Sequence, residues 1–307
     1  QITARLIDES CHGAIGDYLV MRDKRELLIN EGHVFELSAI LKGNGVLSKD
    51  RILGCTDSTA NNYNAEATVD DETCEFNFQP KNREELKIAV DEWIANSTDA
   101  NSTYGHINTW DTSLITDMSE LFYYKYSFNG DISNWNVSSV TDMKSMFASA
   151  SSFNQDISNW DVSSVTDMSF MFTYAIGFNK DISNWNVSSV TDIGGMFYDA
   201  GSFNQDLSNW DVSSVTDMED LFLDATSFNQ DISGWDVSSV TDMRNMFDNA
   251  DSFDQDISDW DISNVTRMGN MFNSANDLSG DNKCAIHTSF DSNSAWPYDW
   301  ESFCSDE

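Results

Sequence analysis

The sequence predicts an α/β solenoid, with a parallel sheet on one face, short helices on the other, a helical N-cap and a disulfide C-cap. Three observations support this. Phe128, Phe153, Phe178, Phe203, Phe228 and Phe253 recur every 25 residues. Trp135, Trp160, Trp185, Trp210, Trp235 and Trp260 recur with the same period, and Trp110 stands one period earlier. Each unit also switches from strand-like alternation to helix-like spacing. Such units bury their apolar face only by stacking on neighbours.

Each element follows from one unit, FNQDISNWDVSSVTDMSFMFTYAIG at residues 153–177. Ile157, Trp160 and Val162 are apolar, and Asn159, Asp161 and Ser163 between them are polar. That alternation predicts a short strand. Ser164, Val165, Thr166 and Asp167 match a capping box. Val165, Met168, Met171 and Phe172 follow at helical spacing. A polar FNQD loop leads to the next strand. Six full copies fill 128–277, and a degenerate one begins near Tyr104. The Trp and Phe ladders share a register with Val and Met, so they are assigned to the core rather than to sugar stacking.

The pattern Ile-x-x-Trp-x-Val-x-x-Val-x-x-Met-x-x-Met-Phe resembles the leucine-rich-repeat-like units of BspA-like surface proteins of bacteria, mycoplasmas and marine microalgae. It covers 128–277 in unbroken register and extends over 81–127. The resemblance implies a secreted or surface-displayed binding protein, often discussed as an adhesin.

The remaining segments are assigned around this array. Asn82 to Glu85 resembles a capping box, and Leu86, Val90, Trp93 and Ile94 share one helical face. Residues 81–103 are therefore a capping helix and linker, and 104–277 the repeats. Cys284 and Cys304 bracket residues 278–307 as a disulfide-closed C-terminal cap. Residues 54–76 resemble a short Cys-bracketed acidic module of marine secreted proteins. Ala65 stands where that module often has Pro, and Glu72 and Thr73 replace Gly-Ser. A Cys55–Cys74 bridge would close a loop too small for its own core. Asp57, Asn62, Asn64, Asp70 and Asp71 offer oxygens for a hard cation such as Ca²⁺, which takes six to eight of them. The other interpretation is a solvated disulfide loop. Residues 1–53 show no repeat; His33 to Leu37 alternate like a strand, and Cys11 is left unpaired.

Charge excludes several functions. The 307 residues hold 16 Lys+Arg against 52 Asp+Glu, a formal net charge of −36. Nucleic acid needs a basic surface that releases phosphate counterions, and anionic lipid needs the same. Hydrophobic residues at 40% and aromatics at 12% exclude a disordered acidic tail. No stretch approaches the ~20 apolar residues of a membrane span. The chain begins at Gln1 without a signal peptide, as expected of a mature or trimmed piece.

Residues 104–277 hold 27 acidic and 5 basic groups, and the acids fall in rows. With Trp and Val inward, the residues beside and between them face outward. One row is Asp111, Asn136, Asp161, Asn186, Asp211, Asp236 and Asp261. Its neighbour ends in Asp259. Stacked carboxylates repel, so solvation, raised pKa values or bound cations must compensate. Asp161, Asp211, Asp236, Asp259 and Asp261 are the candidate Ca²⁺-dependent ligand surface, with a solvated acidic face as the alternative. The row from Asp142 to Asp242 is assigned to helix capping, and Arg267 ends it. The Asn129 to Asn229 row is assigned to loop backbone groups.

No nucleophile elbow, phosphate loop or zinc motif occurs, and His12, His33, His106 and His287 have no recognisable partners. The expected function is non-catalytic: an extracellular or cell-surface binding or adhesion module, calcium-binding, with a protein or glycan partner. The alternatives are a structural spacer and an ice-binding solenoid. The row Thr141, Thr166, Thr191, Thr216, Thr241 and Thr266 suits the latter, but its predicted place inside a helical turn does not. Sequons begin at Asn96, Asn101, Asn136, Asn186 and Asn264.

Overall fold

A computed structural model describes residues 14–15, 18–20, 26–29, 34–36, 52–58, 60, 62–74 and 77–304. The chain divides into two compact units, Gln1–Asn77 and Phe78–Glu307.

In the first unit, β1 (Ala14–Ile15), β2 (Tyr18–Val20), β3 (Glu26–Ile29) and β4 (Val34–Glu36) form an antiparallel meander. Leu19 pairs with Leu28 and Leu27 with Phe35. The alternating segment expected at 33–37 coincides with β4; His33 and Leu37, like Cys11 and His12, lie outside the described residues. Strands β5 (Leu53–Gly54) and β6 (Val69–Asp70) pair in parallel, and Cys55 and Cys74 are joined by a disulfide.

The second unit opens with α1 (Arg83–Ala95). Asn82 caps it by accepting the Glu85 N–H at 3.0 Å. Glu85 reaches back to the Lys81 N–H at 2.9 Å, one residue earlier than a capping box requires. Leu86, Ala89 and Val90 are fully buried against the first coil, with Trp93 and Ile94 at the edge. The segment expected to be a linker is largely a second helix, α2 (Ser97–Tyr104). Asn96 ends α1 and caps α2 through the Thr98 and Asp99 N–H groups.

The repeats stack coil on coil, but neither the predicted strand nor the predicted helix forms. Trp160 and Val162 are buried and Asp161 is exposed, as expected. Asp161 closes its own turn by accepting the Ser163 N–H at 3.1 Å, which takes this stretch out of strand pairing. The inter-coil ladder lies instead where the helix was expected. Met168, Phe170, Phe172 and Tyr174 donate their N–H groups to Asp192, Gly194, Met196 and Tyr198 of the next coil, at 2.7–3.0 Å. Met171, Thr173 and Ala175 between them donate to Met168, Phe170 and Phe172 in tight turns. A run of three-residue-step turns places Val165, Met168, Met171 and Phe172 inward just as a helix would, which is why the spacing misleads. Parallel bridges link Asp117, Asp142, Asp167, Asp192, Asp217, Asp242 and Arg267 in succession.

These turns require left-handed backbone at two positions in every coil. Residues 120, 145, 170, 195, 220, 245 and 270 have φ between 53° and 60°, and residues 124, 149, 174, 199, 224, 249 and 274 lie in the same region. Only one of the fourteen is glycine, Gly195.

Buried side chains register the coils. Each Trp from Trp135 to Trp260 donates its indole N–H to the carbonyl of the residue 28 positions earlier, at 2.8–3.3 Å. Phe147 and Phe172 stack at 5.5 Å, and Phe153 and Phe178 at 6.0 Å. Burying each such ring is worth roughly 1.5–3 kcal/mol. The asparagine row acts as expected: Asn129, Asn154, Asn179, Asn204 and Asn229 each accept the backbone N–H of the residue one period later.

The far end is closed by α3 (Gly280–Phe290) and the Cys284–Cys304 disulfide. Trp296, Tyr298 and Trp300 cover Phe272, the last ring of the stack. The Tyr298 hydroxyl accepts the Phe272 N–H at 2.7 Å, in place of a further coil, and burial pushes its pKa up to about 12.

A Cβ on Gly195 would lie 2.4 Å from the Phe170 ring, at φ +60°. Gly195→Ala is expected to destabilise the chain by about 1–3 kcal/mol in urea unfolding. In a Phe170→Ala background the loss should shrink to the backbone contribution of about 1 kcal/mol. An undiminished loss there would contradict the packing.

Candidate functional site

Three kinds of carboxylate row run along the stack, and each uses a different local chemistry. In the row of Asp161, Asp211, Asp236 and Asp261, every side chain accepts the N–H of the serine two residues on, at 3.0–3.2 Å. Ser163, Ser213 and Ser238 add their hydroxyls. One oxygen is thus held in a turn, and the side chains are exposed. The hydroxyl and N–H of Ser163 and Ser238 lower the pKa of Asp161 and Asp236, and the N–H and hydroxyl of Ser263 lower that of Asp261. Raised values were one of three expected ways to tolerate stacked carboxylates; at Asp236 the Ser238 donors outweigh the opposing effect of Asp261. Asp259 is exposed one row away. The five candidates share the outward side of the Trp-x-Val segment as the sequence predicts, spread over four coils.

A second row, Asp131 to Asp256, makes the same kind of turn before the tryptophan; Asp156, Asp206 and Asp231 bond to Ser158, Ser208 and Ser233.

The third row, Asp117 to Asp242, is the line of inter-coil bridges. It was expected to cap helices. It caps turns instead, each Oδ1 accepting the N–H two residues on. Here carboxylates do face one another. Burial first, then Asp167 and Asp217, raise the pKa of Asp192. Both ends of the row are neutralised. Arg83 pairs with Asp117 at 3.4 Å, while Arg244 and Arg267 pair with Asp242 at 2.8 and 3.2 Å. Burial works against the charge on Asp242, but the Arg244 hydrogen bond and both guanidiniums lower its pKa overall.

Asp217, Glu219 and Asp242 form a group with ligand atoms within 4.8 Å of one another. Arg244 bridges Glu219 and Asp242 at 2.7 and 2.8 Å, so this cluster already holds a cation. Sequence reasoning missed Glu219 and Arg244. They occupy the same repeat position one period apart, and that charge reversal between stacked positions was the available signal.

In the 55–74 loop, Asn64 accepts the Glu66 N–H, Asp70 the Glu72 N–H and Asp71 the Thr73 N–H, at 3.0–3.1 Å. Asn62 donates its amide to the Thr73 carbonyl. Asp57 accepts the Ala60 N–H through its carbonyl. Among the described residues, Asp57, Asp70 and Asp71 do not converge as a three-carboxylate group. Asn64, Asp70 and Asp71 thus each commit one oxygen to the loop's own turns.

The threonine row differs from expectation. Thr141, Thr166, Thr191, Thr216, Thr241 and Thr266 are exposed and lie on the inter-coil ladder, outside any helix. Each donates both its N–H and its hydroxyl to the carbonyl of the threonine 25 residues earlier.

A stack of 25-residue coils with shared backbone and side-chain ladders defines a repeat protein. The chain belongs to the family described as "Mycoplasma protein of unknown function, DUF285", whose model matches residues 91–206 and again 178–285. No curated protein and no solved structure matches it.

Asp192 supplies a test of the bridging row. Its raised pKa means the folded state holds the proton more tightly than the unfolded one. Its contribution is therefore favourable below pH 3.8 and is lost as pH rises through the folded value. Asp192→Asn keeps the Gly194 N–H acceptor and removes the charge. Denaturant titration should show a gain of roughly a few tenths of a kcal/mol at pH 7 that vanishes below pH 3.8. A gain independent of pH would exclude charge relief.

Proposed function

We propose that this protein is an extracellular or cell-surface binding module, a leucine-rich-repeat-like solenoid of the BspA-like kind, and that it acts without catalysis. The exposed row of Asp161, Asp211, Asp236 and Asp261 supports this best. Each carboxylate has one oxygen tied to a serine and the other side open, a preformed array of charges. Lowered pKa values keep Asp161, Asp236 and Asp261 ionised over the ordinary pH range. The two disulfides suit an oxidising compartment. Among the described residues, no helix is long and apolar enough to cross a membrane. The partner is a protein or glycan on a cell surface, and Ca²⁺ is the ion the open oxygens and the 55–74 loop would take.

Calcium dependence is tested by thermal unfolding in millimolar CaCl₂ and in EDTA at equal ionic strength. A ligand that binds only the folded state raises its melting temperature. A Ca²⁺-specific rise is expected, reduced by Asp236→Asn with Asp261→Asn or by Asp70→Asn with Asp71→Asn, according to the site. Equal melting in both buffers would remove calcium from the proposal.

A second proposal, ice binding, is favoured by the threonine row. Six exposed threonines recur at the coil spacing of ~4.8 Å on a regular ladder, free of the helical placement that argued against it. Their hydroxyls are committed to carbonyls, and the bridging aspartates run beside them, so binding to a charged partner remains the first choice. A thermal-hysteresis measurement decides: growth arrest of ice that Thr191→Tyr abolishes would reverse the order.

A further inference from the structure

The ladder face changes character along the stack. At one repeat position the residues are Tyr124, Ser149, Tyr174, Asp199, Asp224 and Asn249; both tyrosines are exposed, Ser149 between them is buried, and the last three are half-buried. Ten large apolar side chains are exposed among the described residues, and six of them, Tyr123, Tyr124, Tyr126, Phe170, Tyr174 and Ile176, belong to this face. That is a patch rather than scatter. Tyr123 and Tyr124 lie 4.0 Å apart between ring centroids, and Tyr174 and Tyr198 lie 4.9 Å apart with hydroxyls hydrogen-bonded at 2.9 Å.

The stack itself does not need these rings. Later coils hold Asp, Asn or Ser in place of Tyr174 and Gly, Asp or Asn in place of Phe170, with the same left-handed backbone. Tyr124, Phe170 and Tyr174 even occupy left-handed positions, at φ 56–58°, where Asn, Asp or Gly would fit with less strain. Beyond the rings the face turns acidic, through Asp199, Asp220, Asp224 and Asp248.

The protein's own cations already occupy this face in two ways. Lys144 places its ammonium 6.0 Å from the centroid of the Phe170 ring. Arg244 forks between Asp242 and Glu219. We propose that the tyrosine-bearing coils and the acidic coils after them form one docking surface for a cationic polypeptide segment, whose Lys and Arg side chains stack on the rings and pair with the carboxylates. Charge complementarity selects this occupant: the repeats hold 27 acidic groups against 5 basic ones. Rings facing a cation gain from the quadrupole as well as from contact area. Burial first, then Asp224, raises the pKa of Asp199 beside the rings, a repulsion that a bound cation would relieve. The inference rests on the binding-module proposal and assigns it a face distinct from the Asp161 row.

The test uses the full chain and a fluorescent peptide of alternating Arg and Gly, with a Glu-Gly peptide and a neutral glucose oligomer as comparison probes, read by anisotropy in physiological salt. Tyr124→Ser with Tyr174→Ser leaves charge unchanged and installs the residue that Ser149 already supplies in that row. It should melt with the parent chain and weaken Arg-Gly binding about tenfold. Asp156→Asn with Asp206→Asn removes two charges from the row before the tryptophans, keeps the acceptors for Ser158 and Ser208, and should change binding less than about twofold. Equal losses in the two variants would mean diffuse attraction to an acidic chain and would overturn the inference. So would tyrosine-dependent binding of the glucose oligomer in place of the peptide. Cell binding that survives the tyrosine changes would overturn this face alone, whereas a parent chain that binds neither cells nor peptide would overturn the binding-module proposal with it.

Discussion

The structure depends on a division of backbone hydrogen bonds. Along 168–175 of one coil, alternate N–H groups close local turns and the others reach the next coil. No coil can satisfy its own backbone, and none has a core without its neighbours. The tryptophan N–H groups and the asparagine amides repeat that demand with side chains. The period of 25 is therefore enforced by many bonds at once. A coil one residue longer would misalign all of them, which explains why the unit repeats without insertion from 128 to 277.

Closed ends follow from the same demand. The first coil meets α1 and the last meets Trp296, Tyr298 and Trp300, with a phenolic oxygen accepting a backbone N–H that a further coil would have satisfied. Charge is managed in the same piecewise way. Rows that face water give each carboxylate a serine donor. The row that faces its own copies is raised in pKa at its middle, Asp192, and tied to arginines at its ends.

Much of this was legible in the sequence, because stacking forces each position into a fixed environment. The repeat length, the buried Trp, Phe, Val and Met positions, the outward aspartates, the role of the asparagine row, the Asn82 cap and the Cys284–Cys304 disulfide were readable from residue type and spacing, while the Cys55–Cys74 disulfide was implied by the resemblance of its loop to a Cys-bracketed module. The local conformation was not. Successive tight turns and a helix place apolar residues inward at nearly the same intervals, so Val165, Met168, Met171 and Phe172 could not distinguish them. The left-handed positions also hid, because Glu120, Phe170 and Tyr174 are residues that rarely signal such backbone. Glu219 and Arg244 were missed because reading down one repeat does not compare stacked neighbours. In the 55–74 loop, oxygen-rich composition did not show that Asn64, Asp70 and Asp71 close turns, since turn acceptors and cation ligands use the same atoms.

This separation also indicates where function resides. Positions held constant in every coil are those whose side chains complete the ladders, so their chemistry is consumed by folding. The equivalent positions 124, 149, 174, 199, 224 and 249 share one backbone geometry yet hold Tyr, Ser, Asp and Asn. The fold accepts each of these, and left-handed backbone disfavours a side chain as bulky as tyrosine. Backbone need does not account for a tyrosine there, whereas contact with something outside the stack does. The gradient from aromatic to acidic along one face is thus the part of the molecule least explained by stability and best explained by a partner.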